Sequence, residues 1–160
     1  QDYPSMINLV KQGLNVVVSK TFSKVYGMAG LRIGYLIAKP ELAKKIRENI
    51  VAMSNVLAIE GAKEALVDKE FFNFSINKTN EAKESIYKTL DHLGLRYVRS
   101  HTNFIFFESG IDIRKLGPKM LEKGVRIGRP FPPFYDWCRI SCGTSQEVNR
   151  FITSILEVYG

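Results

Sequence analysis

The chain has 160 residues, 45% of them hydrophobic and 24% charged, which is enough for one ordinary domain with a core of its own. No apolar run approaches the ~20 residues a membrane-spanning helix needs, and two cysteines without partnering histidines make no zinc site. The formal net charge is +7, but the cations are scattered among acids, as in Glu41-Leu42-Ala43-Lys44-Lys45-Ile46-Arg47-Glu48; with no basic run and no nucleic-acid motif, the excess points to a small-anion site and not to nucleic acid.

In chain order, residues 5–12 read as a short helix with Ser5 as its N-cap and Gly13 as its stop. Residues 15–19 and 32–38 read as two strands. Both are almost continuously apolar, the pattern of strands buried on both faces of a parallel or mixed sheet. Pro40 opens a helix over 41–52, since proline suits the first helical turn. Asn55 caps a helix over 55–69. A long amphipathic helix follows over 70–92, with Phe71, Phe74, Ile76, Ala82, Ile86 and Leu90 near helical period, and Gly94 ends it. Strands are expected at 95–99 and 103–108, a helix at 112–123 closed by Gly124, and strands at 125–129 and 137–142. The last two flank a turn rich in proline and aromatic residues, Pro130-Phe131-Pro132-Pro133-Phe134. A final helix over 146–158 takes Ser145 as its cap. The second half thus reads as an α+β layer. Cys138 and Cys142 read as small core residues, and His92 and His101 as isolated surface or strand-end residues.

The segment Thr21-Phe22-Ser23-Lys24-Val25-Tyr26-Gly27-Met28-Ala29-Gly30-Leu31-Arg32 carries the chemistry. A strand delivers one amine, Lys24, to a glycine-punctuated loop, and a guanidinium, Arg32, arrives where the next strand starts. An amine can form a Schiff base with an aldehyde, and a second cation nearby activates it. A guanidinium with neighbouring hydroxyls suits a phosphate. Aldehyde and phosphate are the two handles of pyridoxal phosphate. The segment resembles the active-site lysine segment of fold-type I pyridoxal-phosphate-dependent aminotransferases of class I/II, closest to the branch that includes histidinol-phosphate aminotransferase. The resemblance implies that Lys24 is the Schiff-base lysine and that Thr21, Ser23 and Arg32 hold the cofactor phosphate.

The stretch Trp137-Cys138-Arg139-Ile140-Ser141-Cys142-Gly143-Thr144 resembles the same family's closing motif, in which the arginine grips the substrate α-carboxylate. A planar fork of N–H donors matches a carboxylate bidentately. The bland alternative pairs Arg139 with a structural carboxylate such as Asp136. Asn103 matches the family's asparagine at the start of a strand, near the substrate. Arg129 before Pro130 matches an arginine that helps bind the substrate's own phosphate, although Arg126-Ile127-Gly128-Arg129 stands one residue out of the usual register.

The implied fold is the C-terminal part of the fold-type I transferase fold, α/β and α+β. Residues 1–55 would be the remnant of the large cofactor-binding domain, holding the last strands of its sheet. Residues 56–160 would be the interdomain helices and the complete small domain. The family's Asp-Glu-Ala-Tyr segment, which contacts the cofactor ring, is absent, and Asp2 and Tyr3 do not replace it by spacing. The implied parent is a cytoplasmic homodimer that moves an amino group between an amino acid or amino-phosphate and a 2-oxo acid, with no metal, nucleic acid or membrane partner. Two other readings stand beside it. One is a decarboxylase of an amino-acid phosphate using the same cofactor; the other is a non-catalytic fragment that self-associates.

Overall fold

The computed structural model describes residues 4–160, so Asp2 and Tyr3 lie outside the described residues. The chain forms two compact units, one ending at Asn73 and the other running Phe74–Gly160.

The first unit opens with a single short helix, α1, Ile7–Lys11. Its N-cap position is Met6 and not Ser5; the Ser5 hydroxyl instead accepts the Ile7 N–H at 3.3 Å. The two expected strands are present but shorter and shifted: β1 is Val18–Thr21 and β2 is Gly34–Ile37. They pair antiparallel, from Val18 opposite Ile37 to Thr21 opposite Gly34. At Gly34 a Cβ would stand 2.6 Å from the Lys20 carbonyl oxygen, so only glycine lets the ladder close there. The expected burial on both faces is not found: Val17 is 42% and Leu36 50% exposed. A two-stranded ladder has no layer of its own to cover its faces. Helix α2, Pro40–Glu48, starts at proline as expected and stops at Asn49. Helix α3, Val56–Val67, is capped by Asn55, whose side chain accepts the Leu57 N–H at 2.9 Å. Between α2 and α3, Val51 and Met53 are almost wholly exposed.

Helix α4 runs Lys69–His92, close to its expected span, and the division between the units falls within it. Its periodic residues part company. Ala82, Ile86 and Leu90 are buried in the second unit's core, whereas Phe71 and Phe74 stay largely exposed.

The second unit is built on a three-stranded antiparallel sheet in the order β3 (Tyr97–Val98), β4 (Phe104–Glu108), β5 (Trp137–Ser141). Phe106 faces Arg139 across the β4–β5 ladder. Alternation divides the faces. Ile105, Phe107, Cys138 and Ile140 are buried, while Phe104, Phe106, Trp137 and Arg139 share the other, half-buried face. Against the buried side pack the second half of α4, helix α5 (Ile113–Glu122) and helix α6 (Ser145–Tyr159), through residues including Leu116, Met120, Phe151 and Ile155.

Two expectations are corrected here. Residues 125–129 form no strand. The segment meets β5 once, where the Gly128 N–H donates to the Arg139 carbonyl at 2.8 Å. A Cβ on Gly128 would lie 2.6 Å from that oxygen, so the chain crosses β5 closely at one point and does not run along it. Pro130, with no N–H, then denies a ladder its next bond. The cap of α6 is Thr144 and not Ser145. Its hydroxyl accepts the Glu147 N–H, and the Glu147 carboxylate accepts the Thr144 N–H at 2.7 Å, a reciprocal capping box.

Asp112 caps α5 by accepting the Arg114 N–H at 2.9 Å. Hydrogen bonds from the Arg114 guanidinium and then from its backbone lower the Asp112 pKa from 3.8 to about 2. A carboxylate lowered on folding adds stability that is full above its unfolded pKa and is lost as pH falls from there through about 2. Asp112→Asn is therefore expected to flatten the acid limb of a stability-against-pH curve between pH 4 and 2, measured by urea unfolding, and to cost stability at neutral pH. An unchanged acid limb would contradict this cap.

Candidate functional site

The lysine loop begins where the β1–β2 ladder ends. Beyond Thr21 opposite Gly34, the Phe22 N–H donates to the Ile33 carbonyl at 3.2 Å, which brings Ser23 and Arg32 to the same end of the hairpin. Phe22 is the loop's anchor. It is 2% exposed and its ring packs 4.9 Å from that of Tyr26 and 5.5 Å from that of Tyr35. The Met28 N–H returns to the Phe22 carbonyl at 3.0 Å, and the Gly27 N–H to the Lys24 carbonyl at 2.9 Å. Gly27 takes φ 68°, the left-handed turn that glycine adopts without strain. Lys24 thus stands at the head of a tight turn fixed by a buried ring, with its side chain exposed.

The hydroxyls of Thr21 and Ser23 are 2.9 Å apart, and the Ser23 N–H donates to the Thr21 hydroxyl at 3.1 Å. Arg32 is the one non-glycine residue with positive φ among the described residues, at 51°. Holding it there costs on the order of 1 kcal/mol, and such strain clusters at functional positions. One of its N–H groups is spent on the Ala29 carbonyl at 2.8 Å. The donor set of this loop is an exposed amine, two adjacent hydroxyls and a strained guanidinium. It fits a ligand that carries both an aldehyde and a phosphate.

The second unit holds the other candidates. Arg139 has no ion pair among the described residues, with Asp136 or any other carboxylate. Its Nε is buried with no hydrogen-bond partner. Its guanidinium lies 5.3 Å from the ring centres of both Phe104 and Phe131. A buried donor without an acceptor costs about 1–3 kcal/mol, which marks Arg139 as a cation whose partner the described residues do not supply. Asn103 is exposed at the mouth of the same ladder, where its carbonyl accepts the Cys142 N–H at 2.9 Å. Arg129 is exposed, stacks 4.3 Å over Phe131, and donates to the Pro130 carbonyl at 3.2 Å. Arg129 and Arg139 therefore share one aromatic ring.

A cleft of about 470 Å³ opens beside β5, lined by Arg126, Gly128, Arg139, Gly143, Glu147 and Arg150 among others. Arg126, which the sequence motif does not single out, lines this cleft, and Arg129 does not. The signal that could have found it is alternation: Val125 is buried and Ile127 half-buried, which leaves Arg126 outward. Arg150 is engaged otherwise, donating twice to the Lys123 carbonyl, at 3.2 and 3.0 Å. The cysteines are unpaired: Cys138 is buried, which pushes its thiol up to about 12, and Cys142 is half-buried. Both histidines are exposed.

A model of the family described as "Aminotransferase class I and II" matches residues 1–155. The histidinol-phosphate aminotransferase of Moorella thermoacetica is 36% identical over 165 aligned residues, covering 99% of this chain and 42% of that protein. A crystal structure from Erwinia carotovora atroseptica superposes with a TM-score of 0.91 at 31% identity, over 97% of this chain and 45% of that one. The structure of histidinol-phosphate aminotransferase from Sinorhizobium meliloti in complex with pyridoxal-5'-phosphate superposes with a TM-score of 0.77 at 27% identity, over 91% of this chain and 41% of that one. The chain spans less than half the length of these relatives.

Proposed function

The chain belongs to the class I and II aminotransferases, and from that premise we propose that it is the C-terminal part of a pyridoxal-phosphate-dependent aminotransferase of the histidinol-phosphate type. The observation that carries this reading is the lysine loop: one exposed amine at a fixed turn, with two hydroxyls and a strained arginine at the same hairpin end. The relatives' names support the reaction class, and the Sinorhizobium complex supports the cofactor.

When bound, pyridoxal phosphate supplies the electron sink that makes an amino acid's α C–H bond breakable. The chain's own residues then divide the work. Thr21, Ser23 and Arg32 would hold the phosphate through charge-assisted hydrogen bonds. Lys24 would present its Nζ to the aldehyde and, as a free amine, would hold or move a proton at the substrate α-carbon. Arg139 grips the substrate α-carboxylate as a planar fork, which the orphaned Nε supports. Asn103 contacts the substrate from the mouth of the ladder. For an amino-phosphate substrate the second anion falls to cations of the 126–129 segment. We assign Arg129 there with Arg126, whose place in the cleft beside Arg139 supports a share in that role. For the full-length protein we propose a cytoplasmic homodimer.

Product analysis of the full-length protein tests the reaction. Given an amino-acid or amino-phosphate donor and a 2-oxo acid acceptor, it should form the donor's oxo product and the new amino acid in equal amounts. Release of carbon dioxide and an amine would favour the decarboxylase instead.

The isolated chain is a different matter. Leu36, Val51, Met53 and Leu57 of the first unit are 50–102% exposed, and such surface associates in water. The 160-residue chain by itself is expected to self-associate and to bind the cofactor weakly without turnover. Its mass by light scattering and a pyridoxal phosphate titration check this; a monomer that binds tightly and transaminates would contradict it.

A further inference from the structure

We propose that Phe131 is a positioning residue for Arg139: its ring, with that of Phe104, sets the direction in which the Arg139 guanidinium meets a carboxylate. The inference rests on the carboxylate role of Arg139 proposed above.

Arg139 lacks the usual means of fixing a guanidinium. Among the described residues it has no ion pair, and its buried Nε has no acceptor. An arginine stem has many rotamers, and without partners it samples them at an entropic cost to any ligand it must then bind. What restrains it is aromatic. Phe104 and Phe131 each stand 5.3 Å from the guanidinium carbon, inside the ~6 Å range of cation–π attraction. The two rings are held by different means. Phe104 belongs to β4 and pairs with Ser141, so the sheet fixes it. Phe131 comes from the loop after Pro130 and is braced three ways. Its backbone bridges to Phe134, whose N–H donates to the Phe131 carbonyl at 2.7 Å. Its ring meets the edge of Phe106 at 6.0 Å, and Phe106 is the residue directly opposite Arg139 in the ladder. Arg129 stacks on it at 4.3 Å. A loop residue so braced, touching both substrate-side arginines, orients them without contacting substrate itself.

The test observes the Arg139 Nε–H by ¹⁵N NMR in the 160-residue chain, in the wild type and in Phe131→Leu and Phe131→Tyr. Each is titrated with sodium acetate against sodium chloride at matched ionic strength. The backbone amide spectrum verifies that each variant is folded. The proposal expects an upfield-shifted, slowly exchanging Nε–H in the wild type that responds to acetate and not to chloride. In Phe131→Leu the resonance should lose its ring-current shift, exchange faster, and respond to acetate about two- to fivefold more weakly. Phe131→Tyr, which keeps a ring, should restore both. If Phe131→Leu keeps the wild-type shift and acetate affinity, or if Phe131→Tyr fails alongside it, Phe131 does not position Arg139. If the wild-type Nε–H ignores acetate, the carboxylate role itself is wrong.

Discussion

Replacing Lys24 by alanine is expected to lower amino transfer by the full-length protein at least about 10⁴-fold, and to remove the visible absorption that the cofactor shows when joined to protein. The size follows from the two duties this amine combines. It anchors the aldehyde, and it moves the proton at the substrate α-carbon, a step for which a positioned base contributes about 10²–10⁴-fold by itself. Neighbouring lysines do not replace it. Lys20 lies within β1, in the ladder opposite Tyr35, whereas Lys24 heads the turn that Phe22 pins. A residual activity within tenfold of the wild type, with absorption intact, would show that another amine does this work.

Arg139→Ala is expected to cost about 2–5 kcal/mol of transition-state binding, a fall in kcat/KM of roughly 30- to 5,000-fold, because a desolvated charge-assisted pair with the carboxylate is lost. The structure gives the reason for the upper part of that range. Among the described residues the guanidinium has no ion pair, so a substrate carboxylate would be its first anionic partner. Arg139→Lys should recover only part of the loss, since an ammonium cannot reproduce the bidentate fork. The measurement is steady-state kinetics with an amino-acid donor. An unchanged kcat/KM in Arg139→Ala would remove the arginine from the site.

The sequence made some of this legible and hid the rest for physical reasons. Local signals are the legible ones. Asn55 before an apolar helix is its cap, and Pro40 starts one. The α4 periodicity predicted its length to within a residue at one end. The lysine loop was visible because its hydroxyls, amine, glycines and arginine are close in sequence, and the hairpin that gathers them needs only Thr21 opposite Gly34. Near-equal local options are not decided by local sequence. Thr144 and Ser145 are both good caps, and the Glu147 carboxylate decided between them. Residues 125–129 carry strand-like alternation, but a ladder needs a partner at every second residue, and the close crossing at Gly128 followed by Pro130 allows one bond. The apolar runs at 15–19 and 32–38 promised burial that this chain does not supply, since covering a sheet face takes another layer. Nothing in the sequence placed Phe131 between Arg129 and Arg139. That contact depends on how the loop folds back over the β4–β5 face.

The central claim is that Lys24 is the amine that receives the cofactor aldehyde. The most direct measurement is to incubate the protein with pyridoxal phosphate, reduce it with borohydride, digest it, and locate the added pyridoxyl mass by peptide mapping. The account predicts the adduct on the peptide carrying Lys24, and its disappearance in Lys24→Ala. An adduct concentrated on Lys20 or on any other lysine, with Lys24 unmodified, would contradict it.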